Sequence, residues 1–348
     1  MKRFLDVLAG LFAAVSLIAL VAGGAAARQA TPVGTGGGAD LEAATAWLVE
    51  QQLEEGGFPG FSGESDPSMT IDAILALVAA DHAGVETGDA IDQAVAYLES
   101  DDVALVYAQT GVGQAAKLVL ATVATGGDPR DIAGVDALAL LEQDPTAETG
   151  LYGQGVFDHA YVILALVAAG NEVPTAAINA LDATQTPEGG WAFDGVTAEG
   201  AADSNTTALV VQALEAAGEG DSPLVEEATT YLMTTIEGTA GAVFQPGGQA
   251  QPDSSSTAFV IQALVAVGDD PSSEAWGNLL AALGTFQNDS GAFHFNADDM
   301  MDNIFSTAQA IPAAAGVALP VVPTADAAIP IALLTTDGRA SGAVLKVA

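Results

Sequence analysis

The chain has 348 residues, half of them apolar, with 45 Asp and Glu against seven Lys and Arg and a formal net charge of -38 at pH 7. The acids are dispersed among apolar runs, so the composition predicts a folded protein with a sizeable core. The scarcity of cations argues against a surface for nucleic acid or anionic membrane. The absence of cysteine excludes disulfides, thiolate catalysis and Cys-ligated zinc.

The N-terminal residues have the pattern of an export signal. A basic start precedes an apolar run over 7–22, and Ala25 and Ala27 fit a small-residue cleavage site. We expect residues 1–27 to be a signal peptide and residues 28–40 a flexible leader, so that the mature protein is secreted or held at the cell surface without membrane insertion. The alternative is an uncleaved N-terminal anchor, because the apolar run is long enough to span a bilayer.

A repeated pattern fills most of the remaining chain. Each copy has an amphipathic segment followed by a nearly all-apolar one, as in "TALVVQALEAAG" from Thr207 and "TAFVIQALVAVG" from Thr257. The apolar segments start near residues 70, 115, 159, 207, 257 and 307, at intervals of 44 to 50 residues. Amphipathic segments predict outer helices with one wet side, and apolar segments predict inner helices buried all round. Six such hairpins over 41–319 predict an all-α fold, an α/α toroid with about six inner and six outer helices.

A recurring loop joins the two halves of each repeat. Its pattern is Gln, three residues, Gly, any residue and an aromatic, as in "QTPEGGW" from Gln185 to Trp191 and "QNDSGAF" from Gln287 to Phe293. Glycine permits a sharp reversal, the amide satisfies free backbone groups at helix ends, and the ring covers both. The loop therefore indicates a corner of the fold and not a catalytic motif.

With these repeats and corner loops, the sequence resembles the α/α-toroid superfamily with prenyltransferase/squalene oxidase repeats. Its members include squalene and terpene cyclases, protein prenyltransferase β-subunits, and the cobalamin carriers transcobalamin and intrinsic factor. The resemblance covers residues 41–319 and implies the toroid fold. Because enzymes and binding proteins share these repeats, the resemblance does not imply an activity.

The catalytic signatures of that superfamily are missing. Protein prenyltransferases hold zinc through an Asp, a Cys and a His, and this chain has no cysteine. The Asp-x-Asp-Asp motif with which class II cyclases protonate an alkene is absent, and its nearest match, "ESDD" at 99–102, lies late in an outer-helix segment. Cobalamin carriers add a β-rich domain, whereas the tail at 320–348 is long enough for one small hairpin only. We therefore assign no catalytic residue and no cofactor.

One short acidic run matches a metal-binding pattern. Asp298, Asp299 and Asp302 form "DDMMD", the Asp-Asp-x-x-Asp pattern with which class I terpene synthases hold magnesium diphosphate. Hard cations do prefer carboxylate oxygens. The run lies in a predicted loop with no Lys or Arg nearby, so chance or helix capping is the favoured interpretation and a weak calcium site the alternative.

The candidate binding residues lie where the inner helices begin. Parallel inner helices bring their N-termini around one mouth of a central cavity, where Asp, Ser and Thr serve as helix caps and remain available to a ligand. His159 replaces the threonine of the other repeats and is the best single candidate for specificity. The candidate ligand-binding residues are Asp66, Thr70, Asp158, His159, Tyr161, Asp203, Thr207, Asp253, Thr257, Asp302 and Thr307.

The favoured function is that of an exported, non-catalytic toroid. It would bind a small apolar or amphipathic molecule, isoprenoid- or corrin-like, or a peptide, in the central cavity. One alternative is an enzyme that uses carboxylates at the mouth, either a divergent terpene cyclase or mutase or a carbohydrate-active toroid. The other is a cell-surface interaction module. The sequence does not indicate an oligomeric state.

Overall fold

A computed structural model of the chain describes residues 38–143, 149–247 and 250–323. In these ranges the regular secondary structure is helical, with thirteen α-helices joined by loops. The predicted signal peptide, nearly all of the predicted leader, and the tail from residue 324 onward lie outside the described residues.

Six helices form a closed inner ring. Each packs against the next, and the last returns to the first. Their residues are buried nearly all round: in the first of them, every residue from Met69 to Ala80 is buried except Asp72. The inner helices are α2 (Pro67–His82), α5 (Val112–Ala124), α7 (Val156–Ala168), α9 (Ser204–Ala216), α11 (Ser254–Val267) and α13 (Ile304–Ala314).

A second layer of mostly shorter helices covers this ring. They are α1 (Leu41–Glu50), α3 (Ala90–Leu98), α6 (Leu138–Leu141), α8 (Thr175–Thr184), α10 (Pro223–Thr234) and α12 (Leu279–Gly284), with α4 (Val103–Ala108) as an extra turn before α5. In α10, Val225, Ala228 and Leu232 are buried against α9, while Glu226 and Glu227 face solvent. The predicted all-α fold of six helical hairpins is confirmed.

The corner loops bind each repeat to the next. The amide nitrogen of Gln185 donates to the carbonyl of Gly189 in its own turn, at 2.8 Å, and to the carbonyl of Leu224 at the start of α10, at 3.0 Å. Gly189 has a φ of +92°, and a Cβ there would lie 2.7 Å from the Glu227 carbonyl oxygen. Only glycine allows both the turn and this close approach. Trp191 is fully buried below the turn.

The last corner loop closes the ring. Gln287 accepts a hydrogen bond from the backbone N–H of Asp40 at 2.7 Å and donates to the Asp40 carbonyl at 2.8 Å. These two bonds join residues 247 positions apart in the chain. The start of α1 is thereby fixed to the sixth repeat, and α1 packs on both α13 and α2.

The alternation of outer and inner helices makes the inner helices parallel, with their N-termini at one end of the ring. Two bonds between neighbours support this: the Ser204 N–H donates to the Phe244 carbonyl and the Ser254 N–H to the Phe295 carbonyl, at 2.8 and 2.9 Å. We call this end the mouth and the space enclosed by the inner helices the lumen. At the opposite end the chain after α13 reaches α9, where the Leu319 N–H donates to the Gln212 side chain at 2.9 Å.

Candidate functional site

Four inner helices begin at the mouth with a capping side chain. The capping residues are Asp66, Asp203, Asp253 and Asn303, and each accepts a hydrogen bond from the backbone N–H three residues later, at 2.7 to 3.0 Å. The second carboxylate oxygens of Asp203 and Asp253 accept from the hydroxyls of Thr206 and Ser256. Burial raises the pKa of both aspartates, although these hydrogen bonds oppose the rise. The structure therefore places three of the predicted ligand-binding aspartates in capping contacts.

The predicted threonines connect the corner loops to the inner helices. Thr70, Thr207, Thr257 and Thr307 are fully buried. Their hydroxyl oxygens accept hydrogen bonds from backbone N–H groups of the preceding corner loop, at 2.9 to 3.0 Å. Because a buried N–H without a partner is costly, this contact explains why the threonine recurs in the repeats.

His159 performs the task of the threonine in the third repeat. Its Nδ1 accepts from the backbone N–H of Tyr152 and its Nε2 donates to the Ala177 carbonyl, both at 2.9 Å. The side chain is fully buried. Burial lowers the pKa of His159 to about 4, so the ring is neutral at neutral pH. Both ring nitrogens are thus engaged inside the protein.

The second and third repeats lack the capping side chain, and a cavity opens beside them. The N-cap residues of α5 and α7 are Gly111 and Gly155, and no side chain caps either helix. The cavity measures about 330 Å³, which is within the range of small-molecule sites. Its polar and aromatic lining comes from Thr110, Gln114, Gln154, Asp158 and Phe193. Asp158 was predicted as a candidate, and its side chain does line this cavity.

One position of the inner helices carries a different side chain in every repeat. The residues two positions after the starts of the six apolar segments are Asp72, Lys117, Tyr161, Leu209, Phe259 and Gln309. Phe157 of α7 contacts Phe259 of α11 at 6.4 Å between ring centroids. Since α9 lies between these two helices in the ring, the two rings meet across the lumen. The aromatic contacts continue to the mouth, where Phe157 lies 5.4 Å from Phe193, between ring centroids.

A partly buried ion pair joins two neighbouring inner helices. The ammonium of Lys117 contacts the Asp72 carboxylate at 2.6 Å and the Ser68 hydroxyl at 3.2 Å, and it lies 5.9 Å from the centroid of the Tyr161 ring. Burial opposes the charge on Lys117, but Asp72, with Tyr161 and Tyr107 adding to it, outweighs burial and raises the pKa of the ammonium. Burial also raises the pKa of Tyr161 to about 12. At neutral pH the lysine is therefore charged and the phenol is protonated.

The acidic run at 298–302 makes separate contacts. Asp298 accepts a hydrogen bond from Gln251, and Asp302 accepts from Asn288 and Ser290. Asp302 precedes the capping Asn303 and does not itself cap α13. Within the described ranges, the structure brings no three His, Asp or Glu side chains together in a group that fits a metal ion.

Comparison with known proteins places this architecture among solved structures. No protein-family model and no curated protein sequence matches the chain. The type II terpene cyclase MstE from Scytonema superposes with a TM-score of 0.56 at 17% identity, over 79% of this chain and 96% of that one. A D-mannose isomerase gives 0.58 at 12% identity, over 79% and 95%. An α-1,6-mannanase from Salegentibacter gives 0.56 at 12% identity, over 80% and 98%.

The chain is an α/α toroid. At these identities the likeness shows the fold alone, and the expected resemblance to the terpenoid cyclase toroids is confirmed at that level. Among the toroid's described residues, no helix is both long and apolar enough to cross a bilayer.

The toroid's ion pair was missed by sequence reasoning. Lys117 is the only lysine among the described residues and interrupts the apolar run "AAKLVLATVA", and Asp72 interrupts "TIDAILALVAA" in the same way. A charge inside a helix that is buried all round requires a partner. Two opposite charges at the same repeat position in neighbouring inner helices were therefore a readable signal for a lumen contact.

Proposed function

We propose that this toroid binds a small amphipathic molecule in its central cavity and releases it unchanged. The observation that carries the proposal is the contrast between two sets of positions on the inner helices. Positions that hold the corners recur from repeat to repeat, as Thr207 and Thr257 do. The position two residues after that of the threonine differs in all six repeats and includes two aromatic rings and one ion pair. The hydrogen bonds to the corner loops explain why the first set of residues recurs. We attribute the variation in the second set to the shape and chemistry of a bound ligand.

The protonation states in the lumen support binding over catalysis. A class II cyclase needs a strong acid to protonate an alkene, yet the Asp72 carboxylate is paired with a charged Lys117. Tyr161 has its pKa raised to about 12 and does not give up a proton near neutral pH. The Tyr161 phenol is therefore not matched to proton transfer at physiological pH.

The neighbours support a small-molecule ligand in general terms. One variant of the MstE cyclase holds geranylgeranyl dihydroxybenzoate as its substrate, and a variant of the mannanase holds α-1,6-mannotriose. The aromatic contacts from Phe193 through Phe157 to Phe259 favour an apolar portion in the ligand of this chain. The export signal predicted at 1–27 belongs to the same proposal, which locates the toroid outside the cytoplasm.

Equilibrium dialysis with farnesol, a neutral isoprenoid alcohol, tests this proposal. Phe157→Leu and Phe259→Leu keep an apolar side chain but remove the ring contacts, and we expect each to weaken binding about fivefold. Met233→Ala is the matched control, because Met233 is exposed on the outer helix α10. Equal affinity in all four proteins, or no binding by the unmodified chain, contradicts the proposal. Mass spectrometry of the recovered farnesol shows whether it is unchanged, and a cyclised product contradicts the non-catalytic role.

A further inference from the structure

The cavity at the mouth has a polar wall built around Asp158. This carboxylate lies between α5 and the loop before α7, where a Cβ on Gly113 would be 2.3 Å from its Oδ1 and a Cβ on Gly153 would be 2.6 Å from its Oδ2. The two glycines therefore leave the space that the carboxylate occupies. Asp158 accepts a hydrogen bond from the Gln154 N–H at 3.2 Å and lines the cavity. The described residues give it no ion-pair partner.

Among the residues that line the cavity, Asp158 carries the only charged side chain. Asp158 contributes one negative charge, and the adjacent His159 is neutral because burial lowers its pKa to about 4. The N-termini of α5 and α7 each contribute roughly half a positive charge. The Asp158 carboxylate would repel an anionic ligand group, and the two helix N-termini would repel a cationic one. A neutral ligand group would experience neither repulsion.

The hydrogen-bonding groups of the wall are both acceptors and donors. The Asp158 carboxylate only accepts, and the Thr110 hydroxyl also accepts because its proton is donated to the Tyr107 carbonyl, whereas the amide side chains of Gln114 and Gln154 do both. A hydroxyl group on a ligand also donates and accepts, so a set of hydroxyls matches this wall better than a purely accepting or purely donating group.

The lining of the cavity also includes one aromatic ring. Phe193 lines the cavity while 59% exposed, and its ring lies 5.4 Å from that of Phe157, between centroids. Phe157 in turn contacts Tyr161 at 5.3 Å and Phe259 at 6.4 Å, between ring centroids. An apolar wall thus leads from the cavity into the lumen, and a molecule with one polar end and one apolar end fits along it.

We propose that this cavity binds the neutral, hydroxyl-rich end of the ligand, so that the ligand is a non-ionic amphiphile such as a glycosylated or polyol-bearing lipid. This inference rests on the proposed function, since it specifies the head group of the molecule whose apolar part lies in the lumen. Asp158, Gln114 and Gln154 form hydrogen bonds with the hydroxyls of the ligand, and Phe193 packs against one face of its head group.

A panel of compounds with one chain and three head groups tests the proposal. Octyl glucoside, octyltrimethylammonium and octyl sulfate are titrated below their micelle concentrations by isothermal titration calorimetry. We expect octyl glucoside to bind about tenfold more tightly than octyl sulfate, because only the glucoside satisfies the wall without opposing Asp158. Equal affinities for all three overturn this inference but leave the proposed function intact. Tightest binding of the ammonium compound also overturns it, and no binding of any compound overturns both.

Three variants make the assignment specific. Asp158→Asn keeps an acceptor for the Gln154 N–H, so we expect the fold to persist while glucoside affinity falls about tenfold and sulfate affinity rises. A partly unfolded protein does not produce this opposite pair of changes. Phe193→Leu is expected to weaken the glucoside about threefold. Glu199→Gln removes the same charge from an exposed mouth loop and is expected to change neither affinity. Unchanged selectivity in Asp158→Asn overturns the proposal.

Discussion

His159 makes the stability of the toroid depend on pH, and this dependence tests the assignment of its structural role. The folded-state pKa of about 4 lies below the ordinary value of 6.5, because burial disfavours the charged ring. As the pH falls through 6.5, the unfolded chain binds a proton that the folded chain does not. The contribution of His159 is thus full above pH 6.5 and is lost progressively as the pH falls towards about 4. Each tenfold change in proton affinity is worth about 1.4 kcal/mol, so the loss amounts to about 3 kcal/mol.

Urea unfolding of the unmodified chain and of His159→Asn at several pH values between 8 and 4 measures this loss. Asparagine still accepts from the Tyr152 N–H and does not titrate, so the two stability curves should approach each other by about 3 kcal/mol as the pH falls. Thr207→Asn, which introduces the same residue at the equivalent position of α9, is the control and should run parallel to the unmodified chain. Parallel curves for His159→Asn would refute the buried, neutral histidine.

Two further substitutions test the closure of the ring and the pairing in the lumen. Gln287→Ala removes both hydrogen bonds to Asp40 and should lower the free energy of unfolding by about 2 kcal/mol, with faster hydrogen exchange in α1. Gln51→Ala, which removes only a bond within α1 and its cap, is its control, and equal exchange in the two variants would contradict ring closure at Gln287. Lys117→Met strands the Asp72 carboxylate and should cost about 2 kcal/mol in urea unfolding, while the double variant with Asp72→Asn recovers most of it. If the double variant were less stable than Lys117→Met alone, the loss of stability in Lys117→Met would not come from the unpaired Asp72 carboxylate.

The fold was predictable because the same local solution is repeated. The pattern from Gln185 to Trp191 requires a glycine with positive φ, an amide that reaches the next outer helix, and a ring that fills the space beneath. Each requirement limits one position of the loop to one type of residue. The same pattern returns at Gln287, and this recurrence shows the length of the repeat. The identity of the bonding partner was not predictable. That Gln287 closes the ring by bonding Asp40 depends on the sum of six small rotations, which no local pattern specifies.

The sequence predicted a binding site at the mouth of the ring, and the assignment of binding residues there stays a prediction. The mouth was inferred from parallel helix starts, and Asp158 does line a cavity there. Asp203 and Thr207 were selected for recurring, and recurrence turned out to mark their contacts with the backbone. Asp72 and Lys117 were not predicted as partners, because they occupy a position that varies between the repeats and so does not contribute to the repeat pattern. Their pairing follows from packing between neighbouring inner helices, and the sequence alone does not fix the register of that packing.

The departures from the repeat pattern are concentrated in the second and third repeats, and the closed ring explains why that is possible. The other four inner helices keep a capping side chain and a threonine bonded to the corner loop. Those contacts define a ring in which each unit is held by two neighbours. The two remaining units begin at Gly111 and Gly155 and carry the polar wall of the cavity, Lys117 and the neutral His159. Loss of a helix cap costs about 1 kcal/mol, which a ring held on both sides can tolerate. The weakest copies of the repeat are therefore where a ligand site can arise without opening the fold.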